Sequence, residues 1–183
     1  MKKIVAITGT PGVGKTTIAK LLQREVKGSV LIEANDIINA QKLYSRIDSD
    51  GAKVVKLKAL QRAVAEAVTR AKGAKLIIIE GHILSDIKIR GAIAIVIREH
   101  INKIIKRLEA RGYPKEKINE NVIAEAVDYC GVNAEKNYTE VYEILSGQDA
   151  VGKIMRAISR KQKKERINLM PELLPLLKNG KVI

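Results

Sequence analysis

Residues 9 to 16 read Gly-Thr-Pro-Gly-Val-Gly-Lys-Thr, a full match to the pattern G-x-x-x-x-G-K-[ST]. Ahead of it, Ile4-Val5-Ala6-Ile7 is a short apolar run with the character of a buried strand. Behind it, Thr17-Ile18-Ala19-Lys20-Leu21-Leu22 has helical spacing and good helix formers. A strand, a glycine-rich loop and a helix in that order constrain the chain more than any other feature. Such a unit needs a parallel sheet to bury its strand, and it turns the loop amides toward an anion. Gly9, Gly12 and Gly14 let the backbone curl so that successive N–H groups face phosphate oxygens. The helix N-terminus adds partial positive charge behind them. In this pattern Lys15 reaches the β- and γ-phosphates of ATP, and the Thr16 hydroxyl is a ligand of Mg²⁺. Gly12, Val13, Gly14, Lys15, Thr16 and Thr17 are therefore the nucleotide-binding candidates.

The rest of the chain alternates strand and helix. Strands are expected at 4–8, 30–33, 76–80, 92–97 and 141–145, and helices at 15–26, 54–71, 101–111, 118–137 and 150–164. Leu76-Ile77-Ile78-Ile79 and Ile93-Ala94-Ile95-Val96-Ile97 are unbroken apolar runs, as suits strands covered on both faces. The pattern predicts an α/β fold: a mostly parallel sheet flanked by helices, with the ligand at the C-terminal ends of the strands. Asp48-Ser49-Asp50-Gly51 signals a turn.

A chain of 183 residues suits one domain, here spanning 1–183. With 3% aromatic residues and neither Phe nor Trp, the core must be Ile, Leu, Val and Ala, and few rings remain for stacking bases. A lone cysteine, Cys130, excludes an intrachain disulfide and reads as a small core residue. No stretch approaches the roughly 18 apolar residues of a membrane span, and the first strand runs straight into the phosphate loop, so a cytoplasmic protein is expected. The formal net charge of +14 predicts attraction to polyanions or, alternatively, a Lys-rich solvated surface. Residues 149–183, a basic C-terminal extension, hold nine Lys or Arg against three Asp or Glu. Arg156, Arg160, Lys161, Lys163, Lys164 and Arg166 are read as a dense positive stretch on one helix and its exit. The apolar segment Leu169 to Leu177 carries two prolines, so no long helix is expected through it; it packs back on the body or docks on a partner.

The strand at 76–80 ends in Glu80, followed by Gly81-His82. An acid at a strand end beside a phosphate loop is placed to hold Mg²⁺ directly or through water; Glu80 is the first candidate and Asp86 the reserve. His82 is either structural or orients a water or a phosphate. Phosphoryl transfer needs charge neutralisation and alignment more than covalent chemistry. Arg98, Arg107 and Arg111 are candidates to bring guanidinium groups onto the phosphates. Arg107 and Arg111, four apart, are expected on one helix face, and Arg111 ranks first because it precedes the flexible Gly112. Tyr113 packs on adenine, on the lid or at the core edge.

Gly9 to Thr17, Glu80-Gly81-His82 and Arg107-Leu108-Glu109-Ala110-Arg111-Gly112-Tyr113 together resemble the atypical adenylate kinases. These are the coilin-interacting nuclear ATPase of animals and its yeast and archaeal relatives, which act in small-ribosomal-subunit maturation. The resemblance covers roughly residues 1–145. It implies a nucleoside-monophosphate-kinase-like P-loop NTPase with a small lid at 111–118 and a monophosphate-side segment at 35–72. Asn35, Asp36 and the region through Asp50 belong to that side, with Lys53, Lys56 and Lys58 making it basic. It also implies AMP as acceptor, and a platform ribosomal protein of the S11 group with neighbouring rRNA as partners. The family usually carries Asp-Tyr-His where this chain has Glu80-Gly81-His82.

No Asn-Lys-x-Asp guanine-recognition motif occurs, which disfavours a G protein. Three readings stand: a nucleoside monophosphate kinase, an ATPase driving a ribosome-assembly step, and a nucleotide-regulated binding protein with vestigial catalysis. The expected function is an adenylate-kinase-like ATPase with Lys15, Glu80, His82 and Arg111 as catalytic residues.

Overall fold

The computed structural model describes residues 3–179 apart from 49, 50, 52 and 72. Ser49 and Asp50, half of the expected turn and the end of the expected acceptor region, lie outside the described residues. The chain begins with β1 (Lys3–Thr8), α1 (Lys15–Glu25), β2 (Ser29–Glu33), α2 (Ala34–Ala40), β3 (Tyr44–Ile47), β4 (Lys53–Val55) and α3 (Leu57–Arg70). It continues with β5 (Leu76–Glu80), a 3-10 turn (His82–Asp86), β6 (Ala92–Arg98), α4 (Ile101–Glu109), α5 (Lys115–Ala126) and α6 (Tyr129–Asn137). The last elements are β7 (Val141–Leu145), α7 (Ala150–Ile158) and α8 (Met170–Lys178).

Five strands form one sheet in the order β2-β5-β1-β6-β7, and every pair in it is parallel. The strand periodicity explains how it is covered. Val5 and Ile7 of β1, Ile78 of β5 and Ile95 and Ile97 of β6 face one way, into a core shared with α1, α4, α5, α7 and α8. Ala6, Ile77, Ile79, Ala94 and Val96 face the other way, toward α2, α3, the 3-10 turn and α6. Both faces are therefore dry, as the unbroken apolar runs require. Crossing from β5 past β1 leaves the C-terminal ends of β1 and β5 side by side, with Ile7 opposite Glu80. That register sets the phosphate loop beside the acid.

Four local expectations are corrected. The helix expected over 54–71 begins only at Leu57, because Lys53–Val55 pairs antiparallel with Tyr44–Ile47. The helix expected over 101–111 stops at Glu109, so Arg111 lies past its last turn rather than on the face of Arg107. The single helix expected over 118–137 is two, broken where Asp128 takes φ 57. Asp tolerates that conformation, and its carboxylate caps α6 through the Gly131 N–H at 3.1 Å. The helix expected over 150–164 ends at Ile158, and Arg160 turns the chain with φ 58. The proline-bearing segment, where no long helix is expected, holds a short one, Met170–Lys178. Pro171 sits in its first turn, where the missing N–H costs nothing, and Pro175 lies inside it. That segment packs back: Leu169 and Leu173 are buried against the α5 side of the core.

Candidate active site

The loop between β1 and α1 wraps so tightly under β6 that Gly9, at φ 138, has no room for a side chain; a Cβ there would strike the carbonyl oxygen of Ile97. Val13 turns its side chain into the core, leaving only its backbone on the loop. Lys15 is buried, and its Nζ donates to the Thr10 carbonyl at 3.0 Å. Burial lowers the Lys15 pKa, opposed chiefly by the Glu80 carboxylate. Glu80 shows the converse. Burial raises its pKa, while Lys15 and a hydrogen bond from the Thr16 hydroxyl lower it. Each group is held where its charge is under-solvated. A polyphosphate beside Lys15 and a divalent cation beside Glu80 would relieve both strains at once. The donor set suits Mg²⁺, being hard oxygens, one hydroxyl and one carboxylate. Among the described residues no cluster of three or more His, Cys, Asp or Glu could hold a metal alone. Most of the coordination would therefore come from phosphate and water, as is usual for Mg²⁺.

Two cavities meet here. The smaller, about 220 Å³, is lined by Gly12, Gly14, Lys15, Thr16, Thr17 and Glu80 among others. The larger, about 750 Å³, runs between α2, the β3–β4 hairpin, the 3-10 turn and the α4–α5 connection. Pro11, Asn35, His82, Arg111 and Tyr113 line both. Those five residues are the junction between a phosphate-loop compartment and a second compartment large enough for a nucleotide.

His82 opens to cleft water at this junction, yet protein surrounds the ring. That desolvation, with the Lys15 and Lys117 cations adding to it, lowers its pKa to about 4. The imidazole is therefore neutral near pH 7, able to accept one hydrogen bond and donate another. Gly81 lies against α2, where a Cβ would come within 2.8 Å of the Ala34 Cβ. This packing explains why a glycine stands where an aromatic was anticipated by resemblance.

The three arginines part company. Arg111 lines both cavities, lies close enough to Lys15 to affect its pKa, and forms no ion pair among the described residues. Arg107 points at the outside of the phosphate loop: Nη1 donates to the Gly12 carbonyl at 2.9 Å and Nη2 pairs with Glu99 at 2.8 Å. Arg98 is buried, and it bonds Glu125, Asp128 and Glu143 at 2.7–3.0 Å. Its guanidinium is committed to that cluster, which corrects its candidacy for phosphate contact. Asp86 lies on the second cavity, bonded to α6 rather than beside Thr16, so it is not placed as a substitute for Glu80. Asp36 and Lys56 are not among the residues lining that cavity, whereas Asn35 and Lys53 are. Sequence reasoning overlooked Glu99, Lys117, Asn121 and Tyr129. Lys117 was read as part of the lid and Asn121 and Tyr129 as part of one long helix, and no local pattern marked which face would meet the cleft.

The three arginines of the basic stretch are ion-paired, whereas its three lysines form no ion pair among the described residues. Arg156 pairs with Asp149 and Arg160 with Glu140, while Arg166 bridges Asp128 and Glu135. Lys164 lies over the Tyr142 ring, 5.7 Å from its centroid. Only Arg156 of the six is helical, which corrects the expected basic helix. Among the described residues no helix is long and apolar enough to cross a membrane.

A phosphate loop opening α1 from the C-terminal edge of a five-stranded parallel sheet, with an acid on the neighbouring strand, defines the class: a P-loop protein with a nucleoside-monophosphate-kinase-like fold. Solved structures agree on the fold. Shikimate kinase from Acinetobacter baumannii superposes with a TM-score of 0.58 at 15% identity, covering 89% of this chain and 97% of that one. The tunicamycin resistance protein of Deinococcus radiodurans gives 0.57 at 19%, covering 91% and 100%. The family model described as AAA domain matches residues 5–128. A protein of Methanocaldococcus jannaschii named "Putative adenylate kinase" is 36% identical over 167 residues, 88% of each chain. One of the same name from Pyrococcus furiosus is 32% identical over 187 aligned residues, 97% of this chain and 98% of its own. The chain belongs to this adenylate-kinase-like family within the AAA-domain proteins.

Proposed function

We propose that this protein transfers the γ-phosphoryl group of ATP to AMP, and in the absence of AMP to water. The observation that carries this reading is the shared wall of the two cavities, with Arg111 and His82 on it. A donor phosphate on Lys15 and an acceptor in the larger cavity would meet there. An acceptor oxygen attacks the γ-phosphorus as its bond to the β–γ bridging oxygen breaks, releasing ADP. Lys15 holds the β- and γ-oxygens, and the loop amides of Gly12 to Thr17 hold the remainder. Arg111 spreads the charge that develops on the transferring group. Neutral His82 accepts a hydrogen bond from the acceptor or from an attacking water and holds it in line. Mg²⁺, held by Thr16 and by Glu80 directly or through water, would neutralise charge on the bridging phosphates. In this reading 35–72 is the monophosphate side and 111–118 the lid.

The reading extends to small-ribosomal-subunit maturation, with the S11-group platform protein and rRNA as partners. The family resemblance and the net charge of +14 support it; the ion-paired tail lends it no help. Measuring ADP and phosphate release side by side, with and without AMP and purified small subunits, tests both parts. ADP should exceed phosphate only when AMP is present, and subunits should stimulate phosphate release. Absence of ADP with Mg²⁺-ATP and AMP would overturn the enzymatic reading, and indifference to subunits the ribosomal one.

A further inference from the structure

The larger cavity is lined by three cations, Lys53, Arg111 and Lys117, and among its described lining residues by one carboxylate, Asp86. The cations suit an acceptor phosphate. The carboxylate would repel one, so it has no part in phosphate binding. It is also not an internal counter-ion: among the described residues Asp86 forms no salt bridge. Its two hydrogen bonds come from neutral groups, and both fall on Oδ1. Asn133 Nδ2 donates at 2.9 Å and the Tyr129 hydroxyl at 3.4 Å. The nearby Lys136 ammonium is turned to the Asn133 carbonyl oxygen instead, at 3.0 Å.

The backbone carrying Asp86 is rigidly held. The Tyr138 hydroxyl donates to the Leu84 carbonyl at 2.8 Å, and Asn137 Nδ2 to the Ser85 carbonyl at 2.8 Å. A carboxylate oriented by two neutral donors on one oxygen, on a clamped turn, presents its second oxygen without reorganisation cost. Burial raises its pKa, opposed by the Asn133 and Tyr129 bonds and then by the charge of the nearby Lys136. A donor supplied by a ligand acts in the same direction as those two.

We infer that Asp86 is a specificity-determining residue at the nucleoside end of the acceptor site, its Oδ2 accepting a hydrogen bond from a neutral N–H or O–H of the acceptor nucleoside. The inference rests on reading the larger cavity as the acceptor site. AMP offers three such donors, the ribose 2′- and 3′-hydroxyls and the 6-amino group. An acceptor lacking the one that is read leaves the carboxylate desolvated and unpaired, which is where discrimination arises.

The test compares AMP, 2′-deoxy-AMP, 3′-deoxy-AMP and purine riboside monophosphate, which lacks the 6-amino group, as acceptors for the wild-type protein and for Asp86→Asn. Asparagine keeps the Oδ1 that Asn133 and Tyr129 bond, and melting curves report whether the variant is folded. One analogue should fall about tenfold or more below AMP in kcat/KM with the wild type, and which one it is identifies the donor. In Asp86→Asn the KM for AMP should rise about tenfold, kcat should change much less, and the gap between AMP and that analogue should close. A wild-type protein that uses all four acceptors equally overturns the inference, even if the variant fails to fold. So does a folded variant that keeps the wild-type gap, which would make Asp86 a purely structural tie to α6. Failure of the wild type to form ADP from AMP overturns the acceptor reading itself, and this inference with it.

Discussion

Arg107 joins a fully buried acid to the phosphate loop: its guanidinium bonds the Gly12 carbonyl at 2.9 Å and Glu99 at 2.8 Å. Glu99 is 1% exposed and is otherwise paired with Lys103 at 3.4 Å. By holding a loop carbonyl outward, the bond keeps the neighbouring amides directed inward, so Arg107 acts as a positioning residue. Arg107→Met should destabilise the protein by about 2 kcal/mol, discounted from a wholly buried pair because Arg107 itself is partly solvated. It should also weaken ATP binding about tenfold. Urea denaturation and calorimetric titration check the two effects, and unchanged values in both would remove the role.

Lys15→Met keeps the aliphatic stem and removes the charge. It should lower ATP turnover by about a hundredfold or more. Stability should hold or rise slightly, because burial already disfavours the lysine charge. Steady-state ADP formation and a thermal melt decide; wild-type turnover would mean that the phosphate loop is not the site.

Arg98→Met should do the opposite. Removing the guanidinium leaves Glu125, Asp128 and Glu143 facing one another in a buried cluster. The expected loss is about 3 kcal/mol or more of stability. The KM for ATP should change little at temperatures where the variant is folded, since Arg98 does not reach the phosphate compartment.

Cys130 lies in the wall of the larger cavity, 4.0 Å from the Thr10 hydroxyl. Burial raises its thiol pKa above the ordinary 9.0, and Lys15 opposes the shift. The thiolate fraction is therefore below that of a free cysteine at every pH under about 9. Iodoacetamide should label native Cys130 far more slowly than the urea-unfolded chain. Its rate should climb at higher pH than for the unfolded thiol, and slow further in Lys15→Met. Mass spectrometry from pH 7 to 10 follows this, and equal rates in native and unfolded protein would contradict it.

Of the six residues in the basic stretch, Lys161 and Lys163 are the two that make neither an ion pair nor a ring contact among the described residues. If the tail meets RNA, it does so through them rather than through the paired arginines. Lys161→Gln with Lys163→Gln should lessen the slope of log affinity against log salt by about two. Filter binding at several salt concentrations measures it; an unchanged slope would remove the tail as an RNA contact.

Five strands and the phosphate loop were legible from local pattern, and 76–80 and 141–145 match to the residue. β-branched runs and fixed-spacing glycines act through backbone preferences a few residues long, so they need no knowledge of what lies across the fold. Lys15 and Thr16 belong to the same class, fixed by the strand–loop–helix unit, whereas Glu80 reaches them only through the parallel pairing of β5 with β1. The helix break at Asp128 was not legible. The residue that accompanies it is Arg98, 30 positions away, at 2.7 Å. The fates of three arginines with similar local sequence were equally hidden. One is buried among acids, one grips the Gly12 carbonyl and one faces the cleft, and only through-space charge partners separate them. The same pairing took up the three arginines of a stretch that reads as polyanion-binding and left its lysines. The chain by itself determined the five strands of the sheet and the phosphate-loop motif between β1 and α1. The tertiary structure decided which charges remain free to act, because a charge is spent on whatever opposite charge folding brings within about 3 Å of it.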